Sequence, residues 1–174
     1  TEYSYLYDFH VEEIPAQDID HVSVSSTKIR KALLNGQLKT ANKYLGYNFS
    51  LTGTVVTGEQ LGKKIGFPTA NIHVEEEYKL IPKTGAYVVK SSIDNQSIFG
   101  MMNIGVRPTV SGDNRTIEVH FFDFNKDIYS QQITIELLYF LREEQKFNSI
   151  NELKEQLEKD ERNASEFLKS YANF

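Results

Sequence analysis

Thr116-Ile117-Glu118-Val119-His120-Phe121-Phe122 alternates polar and apolar side chains from Thr116 to Phe121. Successive side chains of a β-strand point to opposite faces. The polar residues Thr116, Glu118 and His120 would therefore share one face, and Ile117, Val119 and Phe121 the other. The pattern predicts a strand with two chemically different faces.

Further runs of strand-forming residues lie on both sides of this stretch. The turn-forming residues Asp94-Asn95-Gln96 separate two of them. Several strands with turn signals and no helices between them predict an antiparallel barrel or sandwich. The predicted strands cover 51–58, 85–90, 97–104, 116–122 and 132–140, with weaker patterns at 5–11 and 22–24.

Helical patterns occupy the two ends of the chain. Ser25 or Ser26 can cap a first helix that ends at Asn35-Gly36. A second helix is predicted over 38–45, with Gly46 after its end. Ser149-x-x-Glu152 is a capping box that begins a C-terminal helix.

Composition narrows the class of protein. The chain has 174 residues, 40% hydrophobic and 25% charged, with a net charge of -5. The acidic balance argues against a nucleic-acid partner. No apolar run reaches the length of a membrane span, about 18 residues. The absence of cysteine excludes disulfides and thiolate metal sites, and we expect a cytoplasmic protein.

The segment Gly62–Asn71 combines residue types that suit a phosphate site. Its glycines allow close backbone approach, its lysines supply positive charge, and Thr69 and Asn71 offer neutral oxygens that Mg²⁺ accepts. The spacing departs from the P-loop motif, because Lys63 is followed by Lys64 and not by Ser or Thr. An ordinary hairpin loop with solvated lysines is the alternative.

Glu118 is a candidate general base if the polar face of its strand looks into a barrel mouth. The alternative is a surface carboxylate on the outer face of the sheet. His120 is the weaker candidate, and no set of residues with zinc-ligand spacing accompanies it.

Two polar segments are predicted to be loops beside strands. The segment 103–109 contains Gly105 and Pro108, and the segment 141–147 contains Arg142. An Arg beside an aromatic residue can clamp a flat ring with polar edges. A charged loop that ends the sheet is the alternative for the second segment.

The start of the first predicted helix is a third candidate site. Helix N-termini attract anions. This helix start also carries hydroxyl groups and basic side chains. A plain helix cap is the alternative. The residues concerned are Ser25, Ser26, Thr27, Lys28 and Arg30.

Taken together and in order, these motifs resemble the riboflavin kinase family. The resemblance rests on Gly66-Phe-Pro-Thr-Ala-Asn71, Pro82-x-x-Gly-Ala-Tyr87, Asn103-Ile-Gly-Val-Arg-Pro-Thr109, Ile117-Glu-Val-His-x-x-Asp-Phe124 and Leu141-Arg-x-Glu-x-Lys-Phe147. The stretch 24–33 resembles the end of the FMN adenylyltransferase domain that precedes the kinase in bacterial bifunctional enzymes.

The resemblance implies an architecture and an activity. The family folds as a six-stranded antiparallel Greek-key barrel with a C-terminal helix, and we expect this for residues 47–174. Residues 1–46 would be a helical remnant of an α/β nucleotidyltransferase domain, whose remainder is a missing N-terminal partner. The family transfers the γ-phosphate of ATP to the 5′-hydroxyl of riboflavin with Mg²⁺, giving FMN and ADP.

The resemblance also implies roles for single residues. Glu118 would be the catalytic base, and Thr69 and Asn71 would contact the metal and the phosphates. The remaining ATP-binding positions would be Gly58, Gly62, Lys63, Phe121, Asp123 and Tyr129, and the flavin-binding positions Arg142, Gln145, Lys146 and Phe147. Ser25, Ser26, Thr27 and Arg30 would belong to the adenylyltransferase remnant.

Three departures from the family pattern bear on these expectations. The flap 57–62 differs in detail from the Gly/Arg-rich flaps of many members. Ser130 follows Tyr129 where the family usually has Gly, which weakens the nucleotide contact at Tyr129. The adenylyltransferase motif H-x-G-H is nowhere in the sequence, so we expect FAD synthesis only from a longer parent protein. A flavin- or nucleotide-binding barrel without turnover is the alternative function, and a barrel that binds nucleic acid or protein is a third reading.

Overall fold

Six strands close into an antiparallel barrel in the computed structural model, which describes residues 18–19, 22–58, 61–109 and 112–171. A small pair, β1 (Asp18–Ile19) and β2 (Val22–Ser23), precedes the barrel. The barrel strands are β3 (Ser50–Val56), β4 (Ala70–His73), β5 (Gly85–Ile93), β6 (Gln96–Thr109), β7 (Gly112–Phe121) and β8 (Gln132–Glu143). The predicted six-stranded antiparallel barrel is confirmed, and the strand predicted at 5–11 lies outside the described residues.

The strands follow the order β3-β4-β7-β6-β5-β8 around the barrel, and β8 pairs with β3 to close it. Residues 74–84 therefore cross over from β4 to β5, which is not its neighbour. The β5–β6 hairpin turns at Asp94 and Asn95, as predicted, and both have positive φ, at 52° and 61°. Such values are typical of a type I′ turn, whose twist matches that of the flanking strands.

Within the described ranges, four helices accompany the barrel. They are α1 (Ser26–Leu34), α2 (Leu38–Leu45), the single turn α3 (Leu61–Lys64) and α4 (Ile150–Tyr171). The predicted ends hold, because Gly36 and Gly46 take left-handed conformations after α1 and α2. The capping box also holds, since the Ser149 hydroxyl accepts from the Glu152 N–H at 3.2 Å. None of the helices in the described part is both long and apolar enough to cross a membrane.

Apolar residues at alternate strand positions fill the barrel. Ile117, Val119 and Phe121 of β7 point inward, at no more than 6% exposure. Tyr87 is buried among them, and its hydroxyl donates to the Lys83 carbonyl. Burial raises the pKa of Tyr87, so the phenol stays neutral and keeps its proton for that bond.

A second apolar cluster, separate from the barrel interior, lies on the outside of the barrel beneath α4. Val88 of β5, Leu138 of β8 and Ala164 of α4 are its buried members. This contact holds the C-terminal half of α4 on the barrel wall, and the N-terminal half lines the cavity described below through Leu153 and Leu157.

Two of the predicted loops are wrong. The segment 103–109 continues β6, since its residues pair one by one with β7 as far as Thr109. Beyond Ile104 it has lost its other neighbour, β5. Pro lacks an N–H and is tolerated on such an edge. The strand therefore continues through Pro108, although a proline in the sequence suggests that a strand ends. Likewise β8 runs on to Glu143, through the first residues of the segment predicted to follow it.

The strand β4 was not predicted at all. It has four residues, Ala70–His73, and three of them pair with β3. Its first two pair with β7 on the other side. A strand this short carries no readable periodicity, so only the closed barrel reveals it.

The helix pair α1–α2 packs onto the barrel rather than standing apart. Its buried residues Leu33, Leu38 and Ala41 belong to the same apolar cluster as the barrel interior. The Asn42 side chain donates to the Leu137 carbonyl at 3.0 Å and accepts from the Phe49 N–H at 2.9 Å. Residues on both sides of the predicted boundary at 46–47 therefore share one core.

This shared core predicts that the helix pair stabilises the barrel. Leu33 is 2% exposed and Leu34 is 47% exposed, so the two neighbours form a matched pair. We expect Leu33→Ala to lower the free energy of unfolding by about 2–5 kcal/mol. Leu34→Ala should lower it by less than about 0.5 kcal/mol. Urea unfolding followed by far-UV circular dichroism measures both, and equal losses would contradict the shared core.

Candidate active site

Five residues on five neighbouring strands of the barrel lie directly opposite one another in sequence of pairing. Strand pairing sets Asn71 of β4 opposite Glu118 of β7, and Glu118 opposite Asn103 of β6. Asn103 lies opposite Ala86 of β5, which in turn lies opposite Arg142 of β8. Directly opposed residues of antiparallel strands share a face. The row therefore lies on one side of the wall, with its side chains beside one another.

That side is the outside of the barrel. Ile117 and Val119, which flank Glu118, belong to the interior core. The polar face of β7 therefore looks away from the barrel interior, so the condition stated for Glu118, a face that looks into the barrel mouth, is not met. Glu118 is nevertheless no plain surface carboxylate, because it is half-buried and lines a cavity together with residues of α4.

The first cavity lies between the barrel wall and α4 and has a volume of about 270 Å³. Most of its lining is apolar, and the rest is polar. Ile65, Phe67, Ala86, Met101, Met102, Phe147, Leu153 and Leu157 form the apolar part. Thr69, Asn103, Glu118, His120, Arg142, Glu144, Gln145 and Asp160 form the polar part. A flat apolar molecule with polar edges suits such a lining.

Arg142 and Asp160 tie α4 to the barrel at this cavity. The Arg142 Nε–H donates to both Asp160 carboxylate oxygens at 3.0 Å, and Nη2 donates to Oδ2 at 2.7 Å. Asp160 is 2% exposed and also accepts from Gln156 at 2.8 Å. Charge-assisted contacts of this kind are strong and directional. The guanidinium is thus held by Asp160, with its centre 5.9 Å from the centroid of the Phe147 ring.

A second cavity, of about 300 Å³, opens beside the first. It lies between the segment 63–70 and the segment 124–129. Lys63, Phe121 and Tyr129 line it, as does Lys126, whose ammonium pairs with Asp94 at 2.7 Å. Thr69 lines both cavities, so they meet at this residue.

Two side chains of β7 contact the residues at the junction of the two cavities. The Thr69 hydroxyl donates to Glu118 Oε2 at 3.4 Å, a long hydrogen bond. His120 Nδ1 lies 2.8 Å from the Pro68 carbonyl oxygen. Two side chains on one face of one strand thus reach the two residues that precede β4.

The oxygens of Thr69 and Asn71 suit a magnesium ion. Both are neutral oxygen donors, and Thr69 faces the cavity that contains Lys63. A Cβ atom at Gly58 would run into the Asn71 amide, so the glycine backbone packs directly on that side chain. In the described ranges, no group of three or more His, Asp or Glu residues is arranged so that it could hold a metal ion.

The remaining predicted residues are spread around the two cavities. Gly62, Gln145 and Phe147 line the first, whereas Lys146 faces a neighbouring groove with Gln145 and Phe147. Asp123 is an exposed turn residue with a φ of 51°.

Ser130, which departs from the family pattern, has a φ of 62°. This left-handed conformation favours Gly. The Ser130 N–H nevertheless donates to Val55 at 2.9 Å, so the turn beside Tyr129 keeps its tie to β3.

The third candidate site lies elsewhere. Ser25 caps α1 by accepting from the Lys28 N–H at 3.3 Å. Ser26 and Arg30 line a groove with Tyr47 and Tyr78, and Thr27 is exposed at the same helix start. None of these residues lines either cavity described above.

The sequence interpretation missed several lining residues. Asn103 fell both in the predicted strand 97–104 and in the predicted loop 103–109, and only strand pairing puts it level with Glu118. Asp160 is one of many charged residues of α4, and no local pattern marks it as buried. Glu144 accepts from the Val106 N–H at 3.2 Å, a contact between segments far apart in sequence.

Comparisons with known proteins show which family the chain belongs to. The family model described as flavokinase, riboflavin kinase, matches residues 45–168. Bifunctional riboflavin kinase/FMN adenylyltransferases from Listeria monocytogenes and Haemophilus influenzae are 42% and 41% identical, over 92% and 94% of this chain. The chain spans about half of their length, 51% and 53%.

A solved structure shares the fold. The crystal structure of a macrolide-efflux protein from Streptococcus pneumoniae is similar with a TM-score of 0.79 and 37% identity. The similarity covers 86% of this chain and 49% of that chain. The family match, the level of identity and the six-stranded barrel with its C-terminal helix lead to one conclusion: this chain belongs to the riboflavin kinase family.

Proposed function

We propose that this chain transfers the γ-phosphate of ATP to the 5′-hydroxyl of riboflavin. The observation that carries the proposal is the meeting of two cavities at Thr69, beside the Glu118 carboxylate. A transfer between two substrates needs two adjoining sites and a group that orients the attacking hydroxyl where they meet.

The first cavity suits the flavin ring. Its apolar lining can cover the ring faces, and Asn103, Gln145 and the Arg142–Asp160 pair offer polar groups to the ring edges. The ribityl chain would then extend along the wall toward Glu118 and Thr69. Because Arg142 is already neutralised by Asp160, the cavity favours a neutral ring over an anion.

The second cavity suits ATP. Lys63 would neutralise phosphate charge, and Phe121, Phe124 and Tyr129 would contact the nucleoside. Thr69 and Asn71 are the residues that would hold Mg²⁺, which supplies positive charge to the phosphate oxygens when bound. Gly58 and Gly62 have no Cβ, so their backbone can lie close to the Asn71 side chain and to the Phe67 carbonyl, respectively.

Glu118 would act on the acceptor hydroxyl. The carboxylate accepts the proton of the 5′-hydroxyl while that oxygen forms a bond to the γ-phosphorus, and the bond from that phosphorus to the bridging oxygen breaks to release ADP. Phosphoryl transfer depends mainly on positioning and on charge neutralisation, so orientation is the larger demand on Glu118.

We further propose that residues 1–46 correspond to the end of the adenylyltransferase part of the bifunctional relatives. Similarity over 92% of the chain extends beyond the kinase match at 45–168, and only 169–174 follow that match. The proposal assigns Ser25, Ser26, Thr27 and Arg30 to that part, and FAD synthesis to a longer protein. The cytoplasmic location stays a prediction.

The first test is the reaction itself. We expect FMN to form when the protein is mixed with riboflavin, ATP and Mg²⁺, and not when any one of the three is left out. Chromatography with fluorescence detection measures FMN, and FAD in the same run. Stoichiometric flavin binding without FMN would instead support the non-catalytic binding module.

Glu118→Gln keeps the shape of the side chain and removes its negative charge. We expect kcat to fall by about 10²-fold or more, because the amide cannot accept the hydroxyl proton. Riboflavin binding, followed by flavin fluorescence, should change little. Glu166→Gln, on the exposed face of α4, is the matched control. Near-full turnover of Glu118→Gln would remove Glu118 as the base.

Asn71→Ala and Gly58→Ala should have the same effect by different routes. The first removes the amide, and the second pushes a methyl group into it. We expect KM for Mg·ATP to rise about tenfold or more in both, since ligand groups misplaced by about 1 Å lose much of their value. KM for riboflavin should stay within about twofold. A normal KM for Mg·ATP in Asn71→Ala would rule out its role as a ligand.

A further inference from the structure

We infer that His120 is a positioning residue, whose Nδ1–H holds the Pro68 carbonyl and thereby fixes Thr69 at the junction of the two cavities. The inference rests on the proposed kinase function and adds a residue to it. His120 acts through the backbone of the segment before β4, and no contact of its own with a phosphate or metal is required.

The end of the β4–β7 ladder creates the need for this contact. The ladder pairs Asn71 with Glu118 and Ala70 with Val119, and β4 begins at Ala70. One further step would set Thr69 opposite His120, yet the pairing stops before it. The chain leaves the sheet at this point, so the backbone of Thr69 is not fixed by the ladder.

The imidazole replaces the missing pairing. Its Nδ1 lies 2.8 Å from the Pro68 oxygen. A carbonyl oxygen only accepts, so Nδ1 must carry the proton. Because a peptide unit is planar, holding the Pro68 oxygen also fixes the direction of the Thr69 N–H and Cα.

The ring itself is packed between aromatic neighbours. Phe67 lies edge-on to it with centroids 5.2 Å apart, and Phe122 does so at 5.9 Å. Phe67 is anchored in turn, since its N–H donates to the Gly62 carbonyl at 2.9 Å. Pro68 has no N–H, so its carbonyl is the only backbone group of that residue that can be tied down.

Both ends of the Pro68–Thr69 pair are thus held from one strand face. His120 bonds the Pro68 oxygen, and Glu118 accepts from the Thr69 hydroxyl. The competing roles for His120 are proton transfer through Nε2 into the first cavity, which it lines, and packing of the ring alone.

Two substitutions separate these roles. His120→Asn places an amide N–H near the position of Nδ1 but has no ring and no titratable nitrogen. His120→Phe keeps the ring and its aromatic contacts but loses the donor. We expect His120→Asn to keep kcat/KM for Mg·ATP within about threefold of the unsubstituted protein. His120→Phe should lower it by about tenfold to a hundredfold, the usual effect of losing an orienting partner.

Two measurements without turnover accompany the kinetics. Titration with Mg·ADP by calorimetry should show weaker binding for His120→Phe than for His120→Asn. Nitrogen-15 NMR of the unsubstituted protein at mildly alkaline pH should show His120 as the Nδ1–H tautomer. This measurement stands even if a variant fails to fold.

The inference is overturned if His120→Phe equals the unsubstituted protein, if His120→Asn loses as much as His120→Phe, or if the Nε2–H tautomer is found. Failure of the proposed function is distinct, because the unsubstituted protein would then make no FMN from riboflavin, Mg²⁺ and ATP.

Discussion

Pairing of β7 on both of its edges is the constraint from which the barrel and the site both follow. One edge of β7 meets β4 and the other meets β6. Its alternate residues Ile117, Val119 and Phe121 fill the barrel, while Glu118 and His120 stand outside. A shift of one residue would exchange the two faces, which the buried apolar side forbids. The position of the candidate base is therefore fixed by the packing of the core.

The same pairing leaves Glu118 and His120 on the outer wall, where they can act on a ligand only if another element shields them from water. A carboxylate on a bare sheet would be solvated, and its electrostatic effect on a ligand would be screened. α4 supplies the cover through Leu153 and Leu157, and the bond from Asp160 to Arg142 fixes its distance from β8. Removing one partner of a buried ion pair strands the other charge, so this contact constrains the helix strongly.

Much of the fold was accessible from the sequence because it depends on local rules. Alternation identified the long strands, turn residues identified the hairpin at Asp94–Asn95, and capping residues identified the helix ends. β4 was missed because four residues carry no period, and the end of β6 because Pro108 lies on an edge where its missing N–H costs nothing. These errors arise from tertiary context, which overrides local propensity.

The candidate site was accessible in part for the same reason. Glu118, Thr69 and Asn71 came from motifs, whereas the face on which Glu118 stands was left open between two alternatives. Asn103 and Asp160 came only from the structure, since one is set by register across β6 and β7 and the other by burial against Arg142. Long-range contacts of this kind leave no signal in a single sequence.

The two halves of the site differ in how firmly they are held. Glu118 and Asn71 lie within paired strands, where several backbone hydrogen bonds would have to break before either moved. Thr69 lies one residue outside the ladder and depends on side-chain bonds from β7. Local opening is easiest where few contacts resist it. The position of Thr69, which lines both cavities, therefore depends on individual side-chain contacts and not on strand pairing. The contact of the His120 imidazole with the Pro68 carbonyl is one of them.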